Sequence, residues 1–407
     1  MFNNKIISEY IGFISPFKSL LFSNLLLCVC LGCISSVIGM KLNNFNVPLS
    51  TIGQVMVWHN VGMVVGAIYV FKFLNHFGRI RAFAVCVLFA ALFAIIHAFI
   101  FNVFTWGVLR FLFGFFEIIA LACLESWFNL RTDNKNRGFI MSIYMLSAFF
   151  GQSIGQFFLR LPDESGYVIF SILALFCVFA AFPILNEKIS TVTMEESKKI
   201  SFREFFKRAP VGIFSCFIYG SLSGLFYALA TVYILKIGLT KHEASLFMSC
   251  VFLGGMFFQI PIGKLSDKID RRLVMILNSI FIVILSLSAN WFLLKGGLYI
   301  SIYSILIGAV VFSLYPVGVA FANDRAKQDE MTSASGILVF SLGTGTVISP
   351  LVASSLMEQY GADYFMKVIC FFASFLLIVA TSSFVKYKIK KRIVRKRQFL
   401  EQINRAA

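Results

Sequence analysis

Apolar runs of about 20 residues recur along nearly the whole of this 407-residue chain. At a helical rise of ~1.5 Å per residue, each can cross the roughly 30 Å hydrocarbon core of a bilayer. A backbone in lipid has no water to bond, so runs of this length must satisfy their own hydrogen bonds as helices. Twelve such spans can be placed, at 18–42, 51–74, 82–101, 106–128, 138–160, 166–186, 209–235, 242–264, 273–294, 298–322, 333–357 and 363–385. Only 14% of residues are charged, too few to cover the surface of a soluble protein of this length. The expectation is an all-α integral membrane protein.

One connection differs from the rest. Asn186–Arg208 is long, charged and central. It predicts a six-helix half over 1–185, a linker over 186–208, a second six-helix half over 209–386 and a basic tail over 387–407. Met1–Pro16 is mixed polar and lacks the pattern of a cleavable signal.

Lysine and arginine set the predicted orientation. With the N-terminus in the cytoplasm, 29 of the 36 fall on cytoplasmic loops, the linker and the tail, six fall on the opposite loops, and Arg110 remains. The chain is therefore expected to cross the cytoplasmic (inner) membrane with both termini in the cytoplasm. The same asymmetry accounts for the net charge of +17 without a nucleic-acid partner. The tail is expected to rest on anionic lipid head groups. Nine cysteines, scattered through apolar segments, read as small buried hydrophobes rather than disulfides or metal ligands. No metal-ligand spacing, phosphate-binding loop or nucleophile motif is present, so no cofactor, no metal and no enzyme activity are expected.

The halves also repeat. Phe71–Arg81 follows span 2, and Gly263–Leu273 follows span 8, 192 residues later. Such repeats, related about an axis along the membrane normal, place a solute site near mid-depth between the halves.

These two loops resemble the signature G-x-x-x-D-[RK]-x-G-[RK]-[RK] of the major facilitator superfamily. The second copy keeps Gly263, Asp267, Lys268, Arg271 and Arg272, with Asp270 where a glycine is usual. The first keeps Gly78, Arg79 and Arg81 but has Phe71 and Asn75 at the first glycine and the aspartate positions. Arg110 and Gly114 resemble the R-x-x-x-G of span 4. Glu125–Asn129 (ESWFN), then Arg137, Gly138 and Tyr144, resemble the YcaD-like branch. The resemblance covers essentially the whole chain. It implies twelve transmembrane helices in two six-helix pseudo-repeats and a cytoplasmic gate built from Gly78, Arg79, Arg81, Glu125, Arg137, Gly263, Asp267, Arg271 and Arg272. Within that gate, Glu125 is expected to pair with Arg79, Arg81 or Arg137.

The residues themselves point to a site on span 4. Arg110, Gly114, Glu117 and Leu121 share one helix face. A charge at membrane depth costs roughly 3 kcal/mol or more, so it is kept where it faces a cavity or a partner. Glu117, near the middle, is a natural proton carrier, because neutralising it removes the cost of moving it; the alternative is a permanent structural pair. Arg110 could bind an anionic solute, tune Glu117 or form a structural ion pair. His59 and Asn60 lie near the middle of span 2, and His59 could titrate near neutrality or simply bond between helices. Gln152, Gln156, Tyr219 and Tyr227 lie at suitable depth for a solute cavity, though each also suits interhelical hydrogen bonding.

The expected function is a secondary active transporter, monomeric, moving a small polar or organic solute by alternating access with proton coupling. The alternative is proton-driven efflux of a metabolite, siderophore or drug. Ala148–Gln156 lacks the proline of the span 5 pattern in drug–proton antiporters, which favours uptake. A non-transporting membrane receptor is the remaining reading.

Overall fold

The computed structural model describes residues 15–132, 137–163, 165–185, 200–327 and 330–406, with side chains except at 129, 137, 138, 332 and 394–406. Among the described residues there is no strand. The helices, in order, are α1 (Lys18–Asn44), α2 (Leu49–Phe99), α3 (Val103–Arg131), α4 (Arg137–Gln156), α5 (Tyr167–Leu185), α6 (Phe202–Arg208) and α7 (Pro210–Lys236). They continue with α8 (Lys241–Lys268), α9 (Arg271–Leu293), α10 (Gly297–Phe312), α11 (Leu314–Asn323), α12 (Met331–Tyr360) and α13 (Tyr364–Ala406).

Ten helical stretches are long and apolar enough to cross a membrane. Helix α2, at 51 residues, holds two of the expected spans, bent at Gly78 with φ 71° and ψ 163°. Only glycine adopts that backbone conformation without strain, so the loop between spans 2 and 3 is reduced to this one residue. Helix α4 adds a 20-residue crossing. Among the described residues this makes twelve crossings, as expected, although three boundaries move. Spans 2 and 3 are nearly continuous. Span 10 is broken into α10 and α11 at Ser313, because Pro316 cannot donate to the Phe312 carbonyl and its ring crowds it. The helix of span 12 does not stop at 385 but runs through the basic tail to Ala406.

Large apolar side chains face outward along the spans; Phe104 is 81% exposed and Leu287 76%. In water such a surface would be a liability, and in lipid it is the solvated face. Every cysteine is unpaired, and all but the half-buried Cys370 are buried.

The halves repeat in their packing as well as in their loops. A Cβ added at Gly62 would lie 2.0 Å from the carbonyl oxygen of Phe111, and one at Gly254 would lie 2.1 Å from that of Ile305. Gly62 and Gly254 are 192 residues apart, the spacing of the two signature-like loops. Each lets one crossing lie backbone against backbone on another, α2 on α3 and α8 on α10. Without a hydrophobic drive between helices in lipid, such close van der Waals contact is what holds them.

Between the halves, α6 is seated on the second half. Phe205 is buried with Ile213, Ala322, Ala334 and Leu338. Arg208 bonds Glu330 at 2.7 Å. The end of the molecule that carries α6 is called the linker end below, and the opposite end the far end.

Candidate functional site

Halfway along α3, the helix presses on α2: a Cβ at Gly114 would meet the His59 carbonyl oxygen at 2.2 Å. That approach brings His59 beside Glu117, with Nε2 to Oε2 at 3.5 Å. The two side chains are 13% and 9% exposed. Arg110 is buried and donates from Nη2 to Ser35 Oγ of α1 at 2.9 Å. It does not pair with Glu117; the two stay on one face of α3 about 10 Å apart along the axis, by seven residues of helical rise. Among the described residues no protein group hydrogen-bonds Arg110 Nε, Arg110 Nη1, His59 Nδ1 or Glu117 Oε2. Buried polar atoms left in this condition are costly.

The other predicted cavity residues divide. Gln152 accepts a hydrogen bond from the Tyr227 hydroxyl at 2.7 Å, joining the halves. Asn60 also joins them, donating to the Thr346 carbonyl at 2.8 Å. Gln156 instead works inside the first half, where its Nε2 donates to the Gly32 carbonyl and to Ser36 Oγ. Tyr219 packs against Tyr315, with ring centroids 5.2 Å apart and the planes tilted by 31°.

The halves are sealed toward the far end. Ser153 of α4 and Ser249 of α8 each donate to the other's carbonyl, at 3.2 and 2.6 Å. Ser245 donates to the Gln156 carbonyl and accepts from Arg160. Lys241 donates to the Leu161 carbonyl. Beside them, Glu358 of α12 accepts from the backbone N–H of Ser50 at the start of α2, at 2.6 Å. None of these serines stood out in the sequence. The one available signal was the four-residue spacing of Ser245 and Ser249, which places both on one face of a helix.

Toward the linker end α4 and α8 diverge. A cleft of about 550 Å³ lies between them, lined by Phe139, Phe149, Gln259, Gly263 and Asp267 among others, with Pro316 at its side. Phe149 meets Phe312 of the other half edge to face at 5.1 Å. This contact and the Gln152–Tyr227 bond close the cleft from the far-end seam. Glu117, Arg110 and His59 do not line the cleft in this conformation; they lie on α2 and α3 of the first half.

The expected gate residues are at the linker end, and Arg79 takes a partner other than Glu125. Glu125 approaches the Tyr144 hydroxyl at 3.5 Å, while Arg79 bonds Ser126 Oγ at 2.9 Å. Adjacent helical residues point about 100° apart, so an arginine that reaches Ser126 is off the Glu125 face. Arg81 is exposed, and the side chain of Arg137 lies outside the described residues. In the second half Arg271 bridges Asp267 and Asp324, both at 2.9 Å. Asp270, at the usual glycine position, caps α9. It accepts from the Arg272 backbone and from the Arg272 guanidinium, at 3.0 and 2.9 Å. Arg272 also lies over the Tyr387 ring at 4.0 Å, tying α9 to the α13 extension. Burial works against the Asp270 carboxylate, but the Arg272 hydrogen bonds outweigh it and hold the group below its usual range. Among the described residues no ion pair crosses between Asp267 and the first half. No group of three or more metal-ligating side chains occurs among them either.

The family model described as the Major Facilitator Superfamily matches residues 20–240 and 212–403. An uncharacterized MFS-type transporter of Yersinia pestis (strain Pestoides F) is 26% identical over 348 residues, covering 85% of this chain and 90% of that one. An uncharacterized MFS-type transporter, YcaD, of Salmonella heidelberg (strain SL476) is 25% identical over 373 residues, 89% and 94% of the two chains. Among solved structures, the nucleoside transporter NupG superposes with a TM-score of 0.69 at 15% identity, covering 91% of this chain and 98% of its own. A D-xylose–proton symporter does so with a TM-score of 0.68 at 13% identity, covering 88% and 97%. At those identities the structures speak for the fold.

Proposed function

The chain belongs to the major facilitator superfamily, and we propose that it is a proton-coupled secondary transporter of the cytoplasmic membrane, with both termini inside. Its halves would rock about mid-depth, and the conformation described above would be the one open to the cytoplasm. The sealed far end and the parted linker end support this reading. So does the lysine and arginine count of the loops.

The observation that carries proton coupling is the Glu117–His59 pair. Two titratable side chains meet at mid-depth, beside an arginine with two unbonded donors, in a place where each charge is expensive. A proton on Glu117 removes its charge and changes what His59 and Arg110 face. Opening of the far end would break the bond from Asn60, next to His59, to Thr346 of the other half and so uncover the pair. The proton could then exchange with one side in each conformation, as alternating access requires.

The test uses purified protein in vesicles with an imposed pH gradient and a mixed panel of small solutes. Wild type should accumulate a solute from the panel. Glu117→Gln should lose that accumulation while keeping counterflow exchange of the same solute. Full accumulation by the variant removes Glu117 from the mechanism.

A further inference from the structure

We propose that the cleft is entered from the side, by single-chain amphiphiles with an anionic head group drawn from the bilayer leaflet at the linker end. This rests on the transporter reading above and adds to it the class of solute. The observation is a second cavity, of about 760 Å³, on the lipid-facing side of the gap between α4 and α8. It shares Ile143, Leu146, Met256 and Ile260 with the cleft. Only these four side chains stand between the two spaces, and the proposed slot from lipid to the cleft passes between them. Its outer edge is formed by Phe22, Phe150 and Phe257, all exposed. Apart from Ser147 and Lys18, every side chain lining the outer cavity is apolar. Its volume lies within the range of about 300–1,000 Å³ typical of small-molecule sites.

The chemistry of the lining selects the occupant. An alkyl chain moving from lipid into an apolar slot exchanges one apolar neighbour for another, so the chain enters at little cost and gains little. Selection then falls to the head group. Lys18 stands on the outer cavity, and Lys264 lines the cleft. Both are exposed. The cleft carboxylate Asp267 is already held by Arg271 at 2.9 Å. A carboxylate or phosphate head therefore meets an ammonium at each end of the slot, and a cationic head meets repulsion. A headgroup-level lysine attracts anionic lipid in the same way.

The experiment places the full chain in phosphatidylcholine nanodiscs with a photoactivatable diazirine analogue of palmitic acid and maps the adducts by mass spectrometry. Adducts should concentrate at Leu146, Met256 and their neighbours, about tenfold above the lipid-facing Leu287 of α9, a ratio equivalent to ~1.4 kcal/mol. Palmitate and lysophosphatidic acid should compete, and their order separates carboxylate from phosphate heads; lysophosphatidylcholine and hexadecanol should not compete. Leu146→Trp with Ile260→Trp should plug the slot and abolish the enrichment. Lys18→Gln, at an exposed position that does not threaten folding, should lower it about fivefold, the scale of one interfacial lysine. Equal labelling at Leu287, or competition by every lipid alike, would mean ordinary annular lipid and overturn the proposal. So would enrichment indifferent to both substitutions. Because labelling asks nothing of Glu117, failure here leaves the proton-coupled reading to its own test.

Discussion

Ser153 and Ser249 hold the two halves together by a reciprocal exchange, each hydroxyl donating to the other's backbone carbonyl across the α4–α8 seam. The far end is thus fastened there by neutral hydrogen bonds between buried groups. Bonds of this kind are weak enough to break in a transport cycle. In membranes they contribute on average about 0.6 kcal/mol each, with ~1.7 at most.

Removing them should favour opening of the far end. Ser153→Ala with Ser249→Ala should shift the balance by about 1–2 kcal/mol, a five- to thirtyfold change in population. Spin labels at Asn44 and Lys236, both exposed on far-end helix termini of opposite halves, should report a longer-distance component that grows in the double variant. An unchanged distribution would show that the pair does not contribute to closure.

The glycine pair predicts a sharper contrast. Gly62→Ala and Gly254→Ala would each drive a methyl group onto a backbone oxygen near 2 Å, and overpacking of this kind costs about 1–3 kcal/mol. Both should lower the thermal midpoint in detergent. Gly263→Ala, with nothing within 4 Å of the added carbon, should leave it unchanged.

Asp270 predicts a pH dependence. Its carboxyl is held below its usual range by Arg272, so its contribution is present above the unfolded value of about 3.9 and is lost as pH falls through the lower folded value. Asp270→Asn should therefore reduce stability at pH 7, and the gap from wild type should close as the pH is lowered past about 4. A gap constant with pH would place the effect in the packing of the new side chain rather than in the charge, since asparagine caps a helix as well as aspartate does.

Much of this architecture was legible in the sequence because lipid imposes simple rules. Span length and the 192-residue repeat were enough for the twelve crossings and the two halves. The break at Pro316 was also readable, since proline removes a donor at a known position. What sequence could not supply was side-chain direction. Ser126 and Glu125 are neighbours, but only the rotation of α3 decides which of them Arg79 reaches. Ser153 and Ser249 are ordinary residues in apolar helices until two distant spans are placed in contact. His59 came out beside Glu117 because Gly114 removes the side chain that would separate α2 from α3, a relation spread over two helices.

Protonation of Glu117 should bias the halves between their two arrangements. The most direct measurement follows the same Asn44–Lys236 label distance from pH 5 to pH 9, in wild type and in Glu117→Gln, with no solute added. The wild-type distribution should shift with pH, and the variant should stay fixed, resembling wild type at low pH. A variant that shifts with pH as wild type does would contradict this and move the switch to His59 or to another group.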